Sequence, residues 1–212
     1  MSEDNAIDID KVEINKDLMI KYRVHYGRNI KTNFSSSFIH GIHPKGFYLI
    51  DVTKTLERLE AAVKLLSRYE PENILMHSSR DFAFKGLEEL GKLTGFKVKY
   101  GRFLPGTLTN YILEHNVDAQ ILFVIDHTFD SQAVDEALKM KLPIISFVDT
   151  NSDGEYVDLA IPANNKGKYS IAALLWSLAV LYLREKGILK SDEVINKSIE
   201  DFMVSPEHAP AI

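Results

Sequence analysis

A run of five apolar residues, Ile-Leu-Phe-Val-Ile at 121–125, most constrains what this chain can fold into. Uninterrupted runs of this kind are typical of a parallel strand that is covered on both faces. Further apolar segments at 74–76 and 143–148 alternate with amphipathic segments of helical spacing. Because strands that alternate with helices require right-handed crossovers, the pattern predicts an α/β fold with a parallel sheet and helices on both faces.

Periodicity and turn residues predict the other elements. The predicted strands are 38–42, 47–51, 74–76, 96–100, 121–125, 143–148 and 157–161, and the predicted helices are 15–26, 53–70, 81–93, 130–140 and 170–186, with one or two helical turns at 108–114. Thr53 is the expected N-cap of the second helix. The turn His-Pro-Lys-Gly at 43–46 joins the first two strands, so we also expect a short N-terminal β-hairpin.

Charge is distributed unevenly along the chain and suggests its domain limits. The net charge of -5 over 212 residues excludes a protein that is basic throughout. Five Lys and Arg residues nevertheless lie between positions 16 and 31 beside a single Asp. Acidic residues gather at both ends instead, so we expect an acidic arm at 1–14, one α/β domain at 15–190 and an acidic tail at 191–212.

Several classes of protein are excluded or disfavoured by composition. The chain has no cysteine, which removes disulfides, thiolate catalysis and cysteine-based zinc sites. The N-terminus has no apolar run of the kind found in signal peptides. The longest apolar stretch, 171–183, is shorter than the roughly 20 residues that cross a bilayer. We therefore predict that it is a buried helix, and that the protein is cytoplasmic and binds no membrane.

Two polar loops are the candidate binding segments. The first, residues 101–110, reads Gly-Arg-Phe-Leu-Pro-Gly-Thr-Leu-Thr-Asn and supplies donors with no carboxylate in the segment to compete for them. The second, residues 164–170, reads Asn-Asn-Lys-Gly-Lys-Tyr-Ser and precedes a predicted helix. Both follow predicted strands, whose carboxyl ends are where ligands collect in such sheets. Two such patches on one sheet edge favour an extended polyanion over a small substrate.

Enzymatic alternatives have weaker support. The glycine-rich phosphate-binding motifs of nucleotide enzymes are absent from the sequence. Asp126 and Asp149 each follow a predicted strand, where a carboxylate acts in catalysis or metal binding, or, more commonly, accepts hydrogen bonds from its own loop. His40 and His43 straddle the hairpin turn, but a zinc site needs three or four converging ligands. We therefore predict no metal site and no cofactor.

Several ordered blocks of sequence resemble one known family. They are 47–59, 101–110, Asp126 with 130–133, 149–150 and 156–167. In this order and spacing the blocks resemble the small-subunit ribosomal protein "S-two" family, in its archaeal and eukaryotic branch, which includes the laminin-receptor-related protein. The resemblance spans about residues 15–187. The interval between the predicted hairpin and the strand at 74–76 has room for one helix only, which fits the archaeal form.

The resemblance implies a fold and a function. It implies a flavodoxin-like (Rossmann-like) sheet in a non-enzymatic constituent of the small ribosomal subunit. Such a protein would bind small-subunit rRNA and neighbouring ribosomal proteins near the junction of head and body, and would have no small-molecule substrate. One departure is that Asp126-His127-Thr128 stands where the family commonly has Asp-Pro-Arg, so the arginine is lost.

RNA docking requires cations for phosphates and hydroxyl or amide groups for sugars and loop bases. On that chemistry the predicted RNA-binding residues are Arg28, Lys31, Lys45, Lys99, Arg102, Thr107, Thr109, Asn110, Asn164, Asn165, Lys166 and Lys168. Tyr26 or Phe103 could add a stacked aromatic ring. Two alternatives remain at this stage. One is an enzyme that binds a sugar phosphate or nucleotide with Asp126, Asp149 and Arg102, and the other is a protein-interaction module with a partly exposed helix at 171–183.

Overall fold

A computed structural model describes residues 14–190, 193 and 195–204 of the chain. The strands are β1 (Ile39–Ile42), β2 (Tyr48–Ile50), β3 (Ile74–Ser78), β4 (Lys97–Tyr100), β5 (Ile121–Val124), β6 (Ile144–Val148) and β7 (Leu159–Pro162). The helices are α1 (Lys16–Lys21), α2 (Val52–Leu66), α3 (Asp81–Thr94), α4 (Ser131–Met140) and α5 (Lys168–Glu185), with further short 3₁₀ turns. The predicted strands and helices therefore exist, with shifts of a few residues at their ends.

Five strands form one parallel sheet in the order β4-β3-β5-β6-β7, and β1 pairs with β2 as a separate antiparallel hairpin. In chain order the parallel strands run 2-1-3-4-5, which is the flavodoxin-like arrangement. The predicted fold class is confirmed. The order reverses between β3 and β5, and a cleft at the carboxyl ends of these two strands is the usual ligand position in such sheets.

The core lies on both faces of β5, as the apolar run predicts. All four residues of this strand are buried, and the ring of Phe123 meets that of Phe147 on β6 edge to face at 5.1 Å. Helix α5 is also almost wholly buried, and its Trp176 donates from Nε1 to the Lys197 carbonyl at 2.8 Å. The interaction-module alternative needed an exposed 171–183 segment, so it is wrong for this structure.

Local chemistry sets the helix ends. Asp51, rather than Thr53, is the N-cap of α2, because its carboxylate accepts a hydrogen bond from the Thr53 N–H at 2.9 Å. Helix α3 ends at Gly95, whose φ of 79° lies in the left-handed region. Gly86 lies where α3 approaches α5 so closely that a Cβ atom would be 2.7 Å from Leu175. The turns predicted as helical at 108–114 are non-helical in the structure.

The two chain ends are described only in part. The predicted arm at 1–14 lies outside the described residues except for Ile14, which packs against the core. Of the predicted tail at 191–212, residue 193 and residues 195–204 are described. The latter include a 3₁₀ turn, Ile199–Phe202, that begins with a capping box between Ser198 and Asp201 and packs against α3 and α5. Among the described helices, none has the length and apolarity to span a membrane.

Candidate nucleic-acid interface

The first candidate loop, residues 101–110, is called the glycine loop below. It folds around the buried carboxylate of Glu136 on α4. Glu136 Oε1 accepts from the Gly106 N–H at 2.7 Å, and Oε2 accepts from the Leu108 N–H at 2.9 Å. The Thr109 hydroxyl also reaches Oε2 at 3.4 Å. The expectation that no nearby carboxylate competes for the donors of the loop is therefore wrong, because Glu136 on a later helix accepts from two of its N–H groups and from Thr109.

The groups that donate hydrogen bonds to the carboxylate of Glu136 are uncharged. Burial raises the pKa of Glu136, but hydrogen bonds from the Leu108 N–H, the Gln132 amide and the N–H groups of Gly106 and Thr109 outweigh it and lower the pKa below the ordinary value. The Gln132 amide donates to Oε1 at 2.9 Å. An ionised carboxylate thus lies beneath the glycine loop, and within the described residues it forms no ion pair.

The other side chains of the glycine loop divide into inner and outer groups. Thr107 is completely buried, and its hydroxyl donates to the Leu104 carbonyl at 2.7 Å, so its side chain supports the loop and offers nothing to RNA. Phe103 is also buried and meets His77 edge to face at 4.8 Å. The Asn110 side chain accepts from the Ile112 N–H at 3.1 Å. Arg102 and Thr109 remain exposed.

The second candidate segment, residues 164–170, runs into α5, and its part at 164–168 is called the asparagine loop below. Asn164 Oδ1 accepts from the N–H groups of Lys166 at 3.2 Å and Gly167 at 3.0 Å, and its amide donates to the Arg23 carbonyl at 3.2 Å. Asn165 is completely buried, and its amide donates to the Phe147 carbonyl at 3.0 Å. Asn165 is therefore a structural residue, and the prediction that its side chain contacts RNA does not fit this position.

A buried carboxylate also lies beneath the asparagine loop. Asp149 at the end of β6 has Lys166 Nζ at 3.2 Å and Arg28 Nε at 3.7 Å from its Oδ2, while its Oδ1 accepts from the Thr150 N–H at 2.6 Å. Lys166 Nζ also donates to Asn151 at 2.6 Å. The predicted cations Arg28 and Lys166 are therefore engaged by a carboxylate of the protein.

Asp126, at the end of β5, is engaged in the same way. Arg80 donates to its Oδ2 from Nε at 3.1 Å, and its Oδ1 accepts from the Thr128 N–H at 3.2 Å. The interpretation that Asp126 and Asp149 accept hydrogen bonds from their own loops is confirmed. His43 accepts from the Lys45 N–H at 3.1 Å, and in the part of the chain that the structure describes no three His, Asp or Glu side chains are grouped as metal ligands.

The remaining predicted cations differ in whether a group of the protein binds their charged end. Lys99 donates to the His115 carbonyl at 2.7 Å, and its partial burial lowers the pKa of its ammonium. Lys31 lies 5.6 Å from the centre of the Tyr48 ring. Within the described residues, four of the predicted cations are exposed or half-buried and form neither an ion pair with a carboxylate nor a side-chain hydrogen bond: Lys31, Lys45, Arg102 and Lys168.

One group of cations joins the predicted Lys168 to two residues that were not predicted as site residues, Lys21 and Arg23. Lys21 and Arg23 lie beside Lys168, at the start of α5, around a cleft of about 530 Å³, called the basic cleft below. The rest of its lining is Tyr22, Tyr169, Glu200 and Met203. The excess of Lys and Arg between positions 16 and 31 was the signal for half of this cleft. The other half of the cleft is formed by α5 and Glu200. These residues are distant in the sequence, and only the tertiary fold places them beside Lys21 and Arg23.

The fold and these loops define a class: a flavodoxin-like α/β protein whose strand-end carboxylates Asp126 and Asp149 serve its own loops and whose free cations lie on the surface. The family model described as Ribosomal protein S2 matches residues 112–182. The chain is 44% identical over 165 residues to "Small ribosomal subunit protein uS2" of Pyrobaculum aerophilum, which covers 78% of this chain and 79% of the relative.

Two further relatives extend the match. The protein of the same name from Aeropyrum pernix is 42% identical over 88% of this chain and 91% of its own length. That from Picrophilus torridus is 39% identical over 92% of this chain and 98% of its own length. The chain belongs to the ribosomal protein S2 family, and the resemblance inferred from the sequence blocks is confirmed.

Proposed function

We propose that the protein is a structural, non-enzymatic constituent of the small ribosomal subunit and supports translation. The observation that carries this proposal is the near full-length match to the Picrophilus torridus relative, 39% identical over 98% of that protein. The engaged carboxylates agree with it, since Asp126 and Asp149, on which the enzyme alternative depended, hold Arg80, Arg28 and Lys166 instead of reaching a substrate.

The protein binds small-subunit rRNA, in this proposal, through its unpaired surface cations. The basic cleft brings Lys21, Arg23 and Lys168 together beside two tyrosine rings. Ammonium and guanidinium groups contact phosphates, and aromatic side chains stack on unpaired bases, so the cleft suits an RNA backbone with a splayed base. Lys31 and Lys45, on the hairpin side, extend the same kind of contact.

The proposal also covers where the protein docks on the small subunit and which kind of protein it contacts there. The protein docks near the junction of head and body, where it contacts other small-subunit proteins in the cytoplasm. The acidic residues at the two chain ends would face basic neighbouring proteins and stay off the RNA, because like charges repel phosphate.

The test is sedimentation of cell extract that contains the full chain. We expect the protein to migrate with small-subunit particles and to leave them as salt rises, because contacts between cations and phosphates weaken steeply with ionic strength. A protein that stays wholly apart from the particles at low salt would exclude the proposal. The variant Lys21→Glu with Lys168→Glu should leave the particles at lower salt, and Lys64→Glu with Lys139→Glu, exposed on α2 and α4, is the matched control.

A further inference from the structure

The cleft at the switch point of the sheet, between β3 and β5, has no role in the contacts proposed so far. It has a volume of about 500 Å³, which falls in the range of ligand sites. Its lining includes Ser79 after β3, Arg102 and Phe103 after β4, and Phe129 and Asp130 after β5 with Ser131 at the start of α4. We call it the switch-point cleft.

Asp130 is an unsatisfied acceptor at this cleft. The residue is 2% exposed, and its Oδ1 accepts from the Ser79 N–H at 2.7 Å. Its Oδ2 is buried without a hydrogen-bond partner in the structure. A buried carboxylate oxygen left in that state is costly. Donors of the protein lie only on the Oδ1 side, where His77 Nε2 is also 3.5 Å away, so among the described residues Oδ2 lacks a hydrogen-bond donor such as a hydroxyl group.

The same cleft also contains groups that attract an anion. Arg102 is exposed and forms no ion pair with any carboxylate in the described part of the chain. Helix α4 begins at Ser131, and Asp130 precedes it without making a side-chain capping bond. The first N–H groups of a helix have no partner within the helix and attract anions. In the described part of the chain, no carboxylate thus accepts a hydrogen bond from Arg102 or from the first N–H groups of α4.

We infer that the switch-point cleft holds one ribose-phosphate unit, with a ribose hydroxyl donating to Asp130 and the phosphate bound by Arg102 and the start of α4. A ribose phosphate supplies the hydroxyl donor and the anion at neighbouring positions, and the rings of Phe103 and Phe129 border the space for its apolar edge. A cationic peptide would satisfy Asp130 but would be repelled by Arg102 and by the positive end of the helix.

This inference rests on the proposed function, because the RNA of a ribosomal particle supplies such units in quantity. A free ribonucleotide offers the same chemistry, and experiment separates the two sources. The 2′-hydroxyl is the group by which a protein distinguishes RNA from DNA, so the contact with Asp130 predicts selectivity for RNA that phosphate contacts alone do not produce.

The experiment measures binding of the purified full chain to a fluorescein-labelled RNA octanucleotide and to DNA of the same base order. We expect RNA to bind about tenfold more tightly, as one hydrogen bond to a charged group warrants. Arg102→Ala should weaken RNA binding by about tenfold. Arg68→Ala, an exposed arginine after α2, should leave it unchanged.

Two further variants address Asp130 and the helix. Asp130→Asn should reduce the preference for RNA over DNA towards unity. Ser131→Asp should weaken binding of RNA while it stabilises the fold, since an acidic residue suits the first turn of a helix but repels phosphate. If Asp130→Asn fails to fold, Arg102→Ala and Ser131→Asp decide the matter. Equal binding of RNA and DNA by the natural chain, or an Arg102→Ala variant that matches Arg68→Ala, would overturn the inference.

Adenosine 5′-monophosphate and its 2′-deoxy form identify the source of the ligand. Preferential binding of the ribonucleotide, abolished by Arg102→Ala, supports the switch-point cleft and assigns it to free nucleotides. Binding confined to the RNA octanucleotide with the same variant pattern supports it and assigns it to RNA. If the purified chain bound RNA no better than DNA but still sedimented with ribosomal particles, this inference would be excluded and the proposed function would stand.

Discussion

The glycine loop and the asparagine loop are both rich in hydrogen-bond donors, but different interactions stabilise them. Each folds around a buried carboxylate that lies outside the loop, Glu136 in one case and Asp149 in the other. Glu136 accepts only from neutral donors, whereas Asp149 lies beside the cations Arg28 and Lys166. In both loops the protein supplies an anion of its own, but only Asp149 also occupies cations that would otherwise be available to RNA.

The largest expected effect is on the glycine loop. Replacing Glu136 with Ala leaves the N–H groups of Gly106 and Leu108 unsatisfied at a site that is largely buried. We expect the free energy of unfolding to fall by about 3 kcal/mol, from two unsatisfied donors. Urea unfolding of the purified chain measures this. The control Asp135→Ala, exposed on the same helix, should change stability by less than about 0.5 kcal/mol.

A smaller effect is expected for the asparagine loop. Asp149→Ala removes the partner of Arg28, whose side chain is 55% exposed and can turn to water. Lys166 keeps its hydrogen bond to Asn151, so only part of the network is lost. We expect about 1.5 kcal/mol of destabilisation, since the Thr150 N–H is the one buried backbone donor that is left without a partner. Glu155→Ala is the exposed control. A loss equal to that of Glu136→Ala would contradict the distinction between the two loops.

The dependence on pH tests how the charge of Glu136 is held. The folded pKa of Glu136 lies below its ordinary value, so its contribution to stability is fully present above the ordinary pKa and is lost as pH falls through the folded pKa. Glu136→Gln lacks this contribution and should be about 2 kcal/mol less stable at neutral pH. Urea unfolding at a series of pH values should show the gap narrow in acid. A gap that stays constant into strong acid would show that the charge is not what holds the loop.

Patterns within one segment predicted most of the fold. The apolar run of β5, the helical spacing of α3 and its glycine stop at Gly95 each depend on neighbouring residues, and each is found in the structure. The capping box at Ser198 was also legible as Ser followed three residues later by Asp. The acidic residues around it favour a tail instead, and only the packing of this turn against α3 and α5 shows that it is folded.

Contacts between distant residues were not predictable in this way. Glu136 lies 28 positions after Leu108, to whose N–H it is bound, and Arg28 donates from its backbone to Thr150 across 122 positions. A helical Glu is ordinarily solvated, so nothing in the local pattern marked it as the anion of a loop. Composition identified which groups could bind an anion, but the tertiary fold decides which of them remain available.

The smallest expected effect separates two neighbouring lysines of the asparagine loop. Lys166 is bound to Asp149 and Asn151, whereas Lys168 lines the basic cleft without a carboxylate partner in the described residues. Both are half-buried and two positions apart, so Lys166→Met and Lys168→Met form a matched pair.

Only the free lysine should count as a phosphate contact. Lys168→Met should lower the slope of log affinity for small-subunit particles against log salt by about 1, with stability unchanged or slightly raised because a cation at the start of a helix is unfavourable. Lys166→Met should leave that slope unchanged and lower stability by about 1 kcal/mol, because it removes an ion pair with a buried carboxylate. Sedimentation at several salt concentrations and urea unfolding measure the two quantities. If Lys168→Met left the slope unchanged, or if both variants lowered it by the same amount, pairing within the protein would not decide which cations reach the RNA.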